Sequence, residues 1–210
     1  MRKTGNRDWH VILVDNGGNS TLERFADRDD ITVLATPHSL GFAEANNFAL
    51  THGPIHGDFV CFLNQDTVSN EDWLEACADC LRRDPSIGAV SPLITNYDAT
   101  DWDEAFRTCA RANAALSDRL REGVSADTSD LPPFVPVPEI TAAAMVVRVE
   151  ALRKSGPFDP IFGSYYEDYD LCRRIAAAGY QVGICTRGRV GHFGGSVSTD
   201  RTTSQRQVPL

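Results

Sequence analysis

Short, nearly continuous apolar runs separated by a helix-spaced segment constrain this chain most. His10 to Val14 (HVILV), Ile31 to Ala35 (ITVLA) and Phe59 to Leu63 (FVCFL) are each five residues long. A run that is apolar at nearly every position suits a strand covered on both faces, not one with alternate side chains in water. Between the second and third runs, Phe42, Ala45, Phe48 and Ala49 recur at helical spacing, which predicts a helix over 41–50. Strands alternating with helices build an α/β domain. The fold expected is a three-layer, Rossmann-like domain with a mixed, mainly parallel sheet.

The pattern continues less regularly downstream. Ser69 is a candidate N-cap for a helix from Glu71 to Arg83, with Asp72 completing a capping box and Pro85 just past the end. Ala89 to Ile94 is another short, largely apolar stretch. From Asn96 to Glu139 the text is first acidic and Ala-rich, then reads SADTSDLPPFVPVPE, where four prolines and no helical period predict a loop. That segment reads as an insertion over one face. Ile140 to Val149 resumes strand-like sequence, the run after Phe162 predicts a helix stopped by Gly179, and Tyr180 to Cys185 (YQVGIC) reads as a strand. The chain is expected to be one domain over 1–195 with a polar, loose tail over 196–210.

Composition closes off several function classes. At 210 residues the chain holds one domain with a sizeable core. A formal net charge of −9 argues against nucleic acid as a partner, because phosphate contacts need concentrated Lys and Arg. No apolar stretch approaches bilayer length, and MRKTGNRDWH lacks the apolar core of a signal peptide, so a cytoplasmic location is the expectation. The six cysteines are scattered, mostly inside apolar runs, as small core residues are. Cys77 and Cys80 form a CxxC within WLEACADCLRR, but no second pair or nearby His completes a zinc site.

Polar clusters fall at the ends of the apolar runs, where open α/β sheets place ligands. They are Asp15-Asn16, LGFAEANN from Leu40 to Asn47, Asn64-Gln65-Asp66-Thr67, Glu167-Asp168, and His192. Each taken singly also suits a turn, since Asp and Asn hydrogen-bond their own backbone. FGSYYEDYDLCRRIAAAGY places three carboxylates, Glu167, Asp168 and Asp170, within four residues at a helix start. There they meet the positive end of the macrodipole.

Together, VDNGGNS (Val14 to Ser20), LGFAEANN, FLNQDT (Phe62 to Thr67), GPFDPIFGSYYEDYDLCRRIAAAGY (Gly156 to Tyr180) and His192 resemble glycosyltransferase family 2, which has the GT-A fold. The wording is nearest the rhamnosyltransferase-like branch. The resemblance runs from about His10 to His192 and leaves Asn96 to Glu139, an acceptor-side segment, unmatched. It implies an inverting enzyme that moves a sugar from a nucleoside-diphosphate-sugar donor to a saccharide or lipid-linked acceptor. It also implies donor binding by Asp15, Asn16, Gly41, Asn46 or Asn47, and Asn64. Asp66 would hold Mg2+ or Mn2+ against the diphosphate, with His192 as a further metal ligand or a phosphate contact. Asp168 would be the general base, and Glu167 would bind acceptor hydroxyls, while Asp170 would be a first-turn helix charge.

On this reading HVILV, ITVLA and FVCFL share one sheet, with Asp15 and Asp66 neighbours at one edge. The resemblance also implies that a strand-helix unit before the VDN strand is absent, since nine residues precede His10. The competing expectations are a catalytically inactive GT-A-like domain that binds nucleotide or glycan or assists a partner chain, and a nucleotidyltransferase. The latter would usually show a Gly-rich, Lys/Arg-bearing loop near its start, which is not found here. Peripheral association with the inner face of a membrane and a homo-oligomer are both compatible with the sequence.

Overall fold

A computed structural model describes residues 9–18, 22–25, 27–69 and 72–194. The expectations for Asn19 and Ser20 of VDNGGNS, for Glu71 and for the tail over 196–210 lie outside the described residues. In chain order the elements are β1 (Val11–Asp15), β2 (Ile31–Ala35), α1 (Phe42–His52), β3 (Phe59–Leu63), β4 (Thr67–Ser69), α2 (Trp73–Arg83) and β5 (Ile87–Asn96). There follow α3 (Glu104–Ala110), α4 (Ala114–Glu122), β6 (Phe134–Pro136), β7 (Ala144–Arg148), α5 (Val149–Ser155), α6 (Glu167–Ala177) and β8 (Gln181–His192). The class is α/β, as the alternating pattern predicts.

The strands form two hydrogen-bonded groups. β1 and β2 pair in parallel, from Val11 opposite Ile31 to Asp15 opposite Ala35. The other sheet has the order β3-β7-β5-β8-β4, with β6 also on β8. Its longest ladder, β5 with β8, is parallel, and its shorter ladders are antiparallel. The three apolar runs therefore do not share one sheet: HVILV and ITVLA pair with each other, and FVCFL pairs with β7. A short apolar run states that a strand is covered, but its partner is chosen by tertiary packing. Here FVCFL meets AMVVR, a largely apolar run far along the chain.

The core lies around β5, β7 and β8. Val90, Ile94, Met145, Val147 and Ile184 are buried there, and α2 and α6 both pack on β5 and β8 through residues such as Cys77, Leu81, Leu171 and Ile175. Of the cysteines, all except Cys61 are fully buried, in keeping with their reading as small apolar residues.

Three local expectations are corrected. Helix α2 is described from Trp73; Asp72 is its N-cap residue at φ 74° and makes no side-chain cap bond, so the expected capping box is not formed, and Ser69 ends β4 opposite Val190. The strand read as YQVGIC continues as β8 to His192, with a register shift between Cys185 and Arg189. Finally, FVP within the proline-rich loop pairs with β8 as β6. Its prolines are tolerated at this short ladder, and Gly183 makes room for it: a Cβ there would lie 2.4 Å from the Phe134 ring and 2.5 Å from the Val135 carbonyl oxygen.

The segment from Asn96 to Glu139 is also more than a cover over one face. It contributes Trp102, Phe106 and Leu116 to the core. It brings α3, and with it Asp103, to the end of β8, as described next.

Candidate active site

One pole of the site forms where β3 and β8 end and β4 begins. Thr67 lies opposite His192 in the β4–β8 ladder, and the Phe193 N–H donates to the Asp66 carbonyl at 2.9 Å. This register brings Asn64, Asp66 and His192 into one cluster. The Asp66 Oδ1 is 3.4 Å from His192 Nε2, and the Asn64 amide nitrogen is 3.3 Å from the same Nε2. On the other side of the ring, Nδ1 is 3.0 Å from Asp103 Oδ2.

Asp103 is a functional candidate that the sequence reading misses. It is the N-cap of α3: its Oδ1 accepts the Phe106 N–H at 2.9 Å while Oδ2 faces His192. The available signal was an Asp three residues before an apolar helix position, but a cap alone does not announce a site. The electrostatics follow from the geometry. The Asp103 hydrogen bond raises the His192 pKa above its ordinary value against the opposing effect of burial, with Asp66 adding to the rise. Burial pushes Asp103 upward, yet its bonds from His192 and the Phe106 N–H prevail and hold it below the usual carboxylate value.

These donors fit a divalent ion. A carboxylate and an imidazole converge on one point, and the Asn64 Oδ1 is buried without a hydrogen-bond partner. Among the described residues no group of three or more His, Cys, Asp or Glu is arranged to hold a metal by itself. An ion at this point would need further ligands from a bound molecule.

The second pole is the start of α6. Tyr166, at φ 71°, turns the chain into the helix and sets Glu167 and Asp168 in its first turn. Asp168 is half-buried. Its Oδ2 accepts the Ala142 N–H at 3.0 Å and its Oδ1 the Tyr169 N–H at 2.9 Å. Burial raises its pKa more than these bonds lower it. Glu167 is only 5% exposed, and its Oε2 has no partner. Burial pushes its pKa up to about 7. Glu167 therefore does not face solvent as a binder of acceptor hydroxyls would. Asp170 pairs with Arg174 at 2.7 Å, and the same guanidinium donates to the Ser155 and Gly156 carbonyls, so this carboxylate ties α6 to the end of α5.

The two poles meet at one stretch of backbone. The Asn64 N–H donates to the Ala143 carbonyl at 3.0 Å, one residue from the Ala142 N–H that holds Asp168.

The LGFAEANN amides act mainly as clamps. Asn16 at the end of β1 donates to the Leu40 carbonyl at 2.9 Å and accepts the Leu40 N–H at 2.7 Å. Asn47 does the same for Phe158, at 2.7 and 3.1 Å. Asn46 donates to the Phe42 carbonyl within its own helix. Gly41 caps α1 where a Cβ would lie 3.2 Å from the Gly163 carbonyl oxygen, and the Ala43 N–H donates to that same oxygen. Buried Thr36, also missed from sequence, receives the Gly17 N–H at 2.9 Å and fixes the turn after Asp15. Asp15 thus stands on a rim that Asn16, Leu40 and Gly41 connect to the loop before α6.

The sequence model of glycosyl transferase family group 2 matches residues 59–207. The chain belongs to this family. The match begins at β3 and takes in both poles of the site. A pre-mycofactocin glycosyltransferase of Mycobacterium tuberculosis is 33% identical over 182 residues, covering 85% of this chain and 36% of that protein. An N-acetylglucosaminyl-diphospho-decaprenol L-rhamnosyltransferase of the same species is 25% identical over 201 residues, covering 83% of this chain and 63% of that protein. The chain thus spans about a third of the first relative's length and under two thirds of the second's.

Solved structures agree on the fold. GalNAc-T7 with UDP, GalNAc and Mn2+ matches at a TM-score of 0.64 with 15% identity, covering 88% of this chain and 38% of that one. The mannosyltransferase PcManGT from Pyrobaculum calidifontis with GDP-Man and Mn2+ matches at 0.63 with 20% identity, covering 90% and 49%. The family member described here therefore has the GT-A glycosyltransferase fold, as the motifs imply. No helix among the described residues is long and apolar enough to cross a membrane.

Proposed function

We propose that this chain is an inverting glycosyltransferase that moves a sugar from a nucleoside-diphosphate-sugar to a hydroxyl of a saccharide or lipid-linked acceptor. The observation that carries the reading is the convergence of the Asp168 carboxylate and the Asn64–Asp66–His192 cluster on consecutive residues, Ala142 and Ala143. Inversion needs a base on one face of the sugar and a held diphosphate on the other, and these two poles supply that pair.

Asp168 takes the proton from the acceptor hydroxyl as its oxygen attacks the anomeric carbon. The Ala142 and Tyr169 N–H groups hold the carboxylate in place and favour its charged form, while partial burial makes it more basic. Asp66 and His192 are the residues that would hold Mg2+ or Mn2+ together with the donor's diphosphate. The ion would neutralise charge on the departing nucleotide. It also answers the charge problem of a −9 chain that binds an anion. Asp15 reads the base of the nucleotide from the end of β1. Asn16, Asn47 and Gly41 support that pocket by fixing the loops around it. Glu167 sits beside Asp168 in the first turn of α6, buried and with its Oε2 unpartnered.

The rhamnosyltransferase relative's name, which includes a diphospho-decaprenol, supports a lipid-linked acceptor. The test is a donor screen: the purified chain with and without Mn2+ against UDP-, dTDP- and GDP-sugars, monitored by release of nucleoside diphosphate. Release from one donor class that needs Mn2+ and an acceptor supports the reading. Nucleotide binding without release from any donor favours a GT-A-like binding domain instead.

A further inference from the structure

The His192 ring is held from both sides, and the two sides differ in kind. Asp103 Oδ2, a pure acceptor, lies 3.0 Å from Nδ1. The Asn64 amide nitrogen, a pure donor, lies 3.3 Å from Nε2. A neutral imidazole has one N–H and one lone pair; the Asp66 Oδ1 also lies 3.4 Å from Nε2, but the shorter Asp103 contact and the Asn64 donor together favour the proton on Nδ1 and the lone pair on Nε2. That lone pair is on the side of Asp66.

We propose that Asp103 is a positioning residue that fixes His192 as its Nδ1–H tautomer and so aims the Nε2 lone pair at the point shared with Asp66. The consequence for metal binding rests on the reading of Asp66 and His192 as ligands given above. A ligating histidine is commonly oriented through its other nitrogen by a carboxylate. Asp103 is well placed for this because its own freedom is removed. Its side chain is 10% exposed, and Oδ1 is committed to the Phe106 N–H at the start of α3. Gly194, at φ 54°, packs beside the pair, where a Cβ would sit 3.5 Å from Asp103 Oδ2 and 3.7 Å from His192 Nδ1. The segment that carries Asp103 thereby acquires a purpose: α3 brings a carboxylate to the back of a ring supplied by β8.

The test uses Asp103→Asn, which keeps an oxygen to cap α3 and turns an N–H2 toward Nδ1. In that variant Nδ1 must accept, so the ring proton moves to Nε2. Asp103→Ser keeps a cap and removes the contact with the ring. Nitrogen-15 NMR of the imidazole, at a pH where the ring is neutral, reads the tautomer directly in the metal-free chain. Mn2+ titration in the presence of UDP, GDP or dTDP reads the ligand. The parent is expected to show Nδ1–H, Asp103→Asn to show Nε2–H, and both variants to bind Mn2+ about 10 to 100-fold more weakly while melting as cooperatively as the parent. An unchanged tautomer in Asp103→Asn overturns the proposal, as does a switched tautomer with unchanged Mn2+ affinity. If the parent binds no Mn2+ with any of the three nucleotides, the metal reading fails, and the NMR result alone then decides whether Asp103 positions the ring.

Discussion

Asp168 accepts the main-chain N–H of Ala142 at 3.0 Å, and the next residue along, Ala143, accepts the main-chain N–H of Asn64. A carboxylate at the start of a helix and a polar cluster at the end of a strand are therefore fixed to one another through two consecutive alanines. Neither pole can shift without disturbing the backbone that carries the other.

The Asp66–His192 pole predicts metal-dependent nucleotide binding. Asp66→Ala removes one of two converging donors, so Mn2+ should no longer tighten UDP or other donor nucleotide binding. The expected loss is at least about tenfold in affinity, ~1.4 kcal/mol, by calorimetry with and without Mn2+. Equal affinity in the parent with and without Mn2+ would count against a metal at this pole.

Glu167 predicts a pH dependence of stability. Its pKa is raised from an ordinary 4.5 to about 7 by burial, so the folded state favours the protonated form. The stability that the neutral carboxyl contributes is complete below 4.5 and is lost as pH rises toward 7 and through it. Glu167→Gln removes this titration. The variant should gain on the order of 3 kcal/mol relative to the parent between acid and mildly alkaline pH. Denaturant melts across that range check it, and parallel profiles for the two proteins would exclude Glu167 as the cause.

Asn47 predicts a structural cost away from the chemistry. Its amide satisfies both the N–H and the carbonyl of Phe158, whose ring is fully buried and meets Phe42 and Phe62 edge-on. Asn47→Ala leaves both backbone groups unpaired, at a cost of about 1 to 3 kcal/mol. Urea denaturation should show it as a lower midpoint with an unchanged slope. A midpoint shift smaller than ~0.5 kcal/mol would mean that water replaces the amide.

What was legible in the sequence follows a physical divide. HVILV, FVCFL and the helix before Gly179 announce themselves because an apolar run or helical spacing is written in consecutive residues, although β1 and most of β3 are only partly buried. The motifs place Asn64, Asp66, Asp168 and His192 at element ends, and the structure brings the first, second and fourth together. The pairing of FVCFL with AMVVR was not legible, since a ladder between distant segments leaves no local mark. Asp103 was hidden for a related reason: its local duty as a helix cap explains it completely until β8 delivers His192 to its other oxygen. Asn16 and Asn47 showed the converse problem, because an amide that holds a loop and one that holds a ligand look alike in sequence.

The central claim is that Asp168 is the base of a sugar transfer, and one assay addresses it: nucleoside diphosphate release and product formation by the parent, Asp168→Asn and Asp170→Asn with the same donor, acceptor and Mn2+. The account predicts a fall of ~10² to 10⁴-fold in transfer for Asp168→Asn with donor affinity nearly unchanged. Asp170→Asn, which loses its bond to Arg174, should keep most of its activity and lose only about 0.3 to 1 kcal/mol of stability. Transfer that survives in Asp168→Asn and disappears in a folded Asp170→Asn would contradict the account.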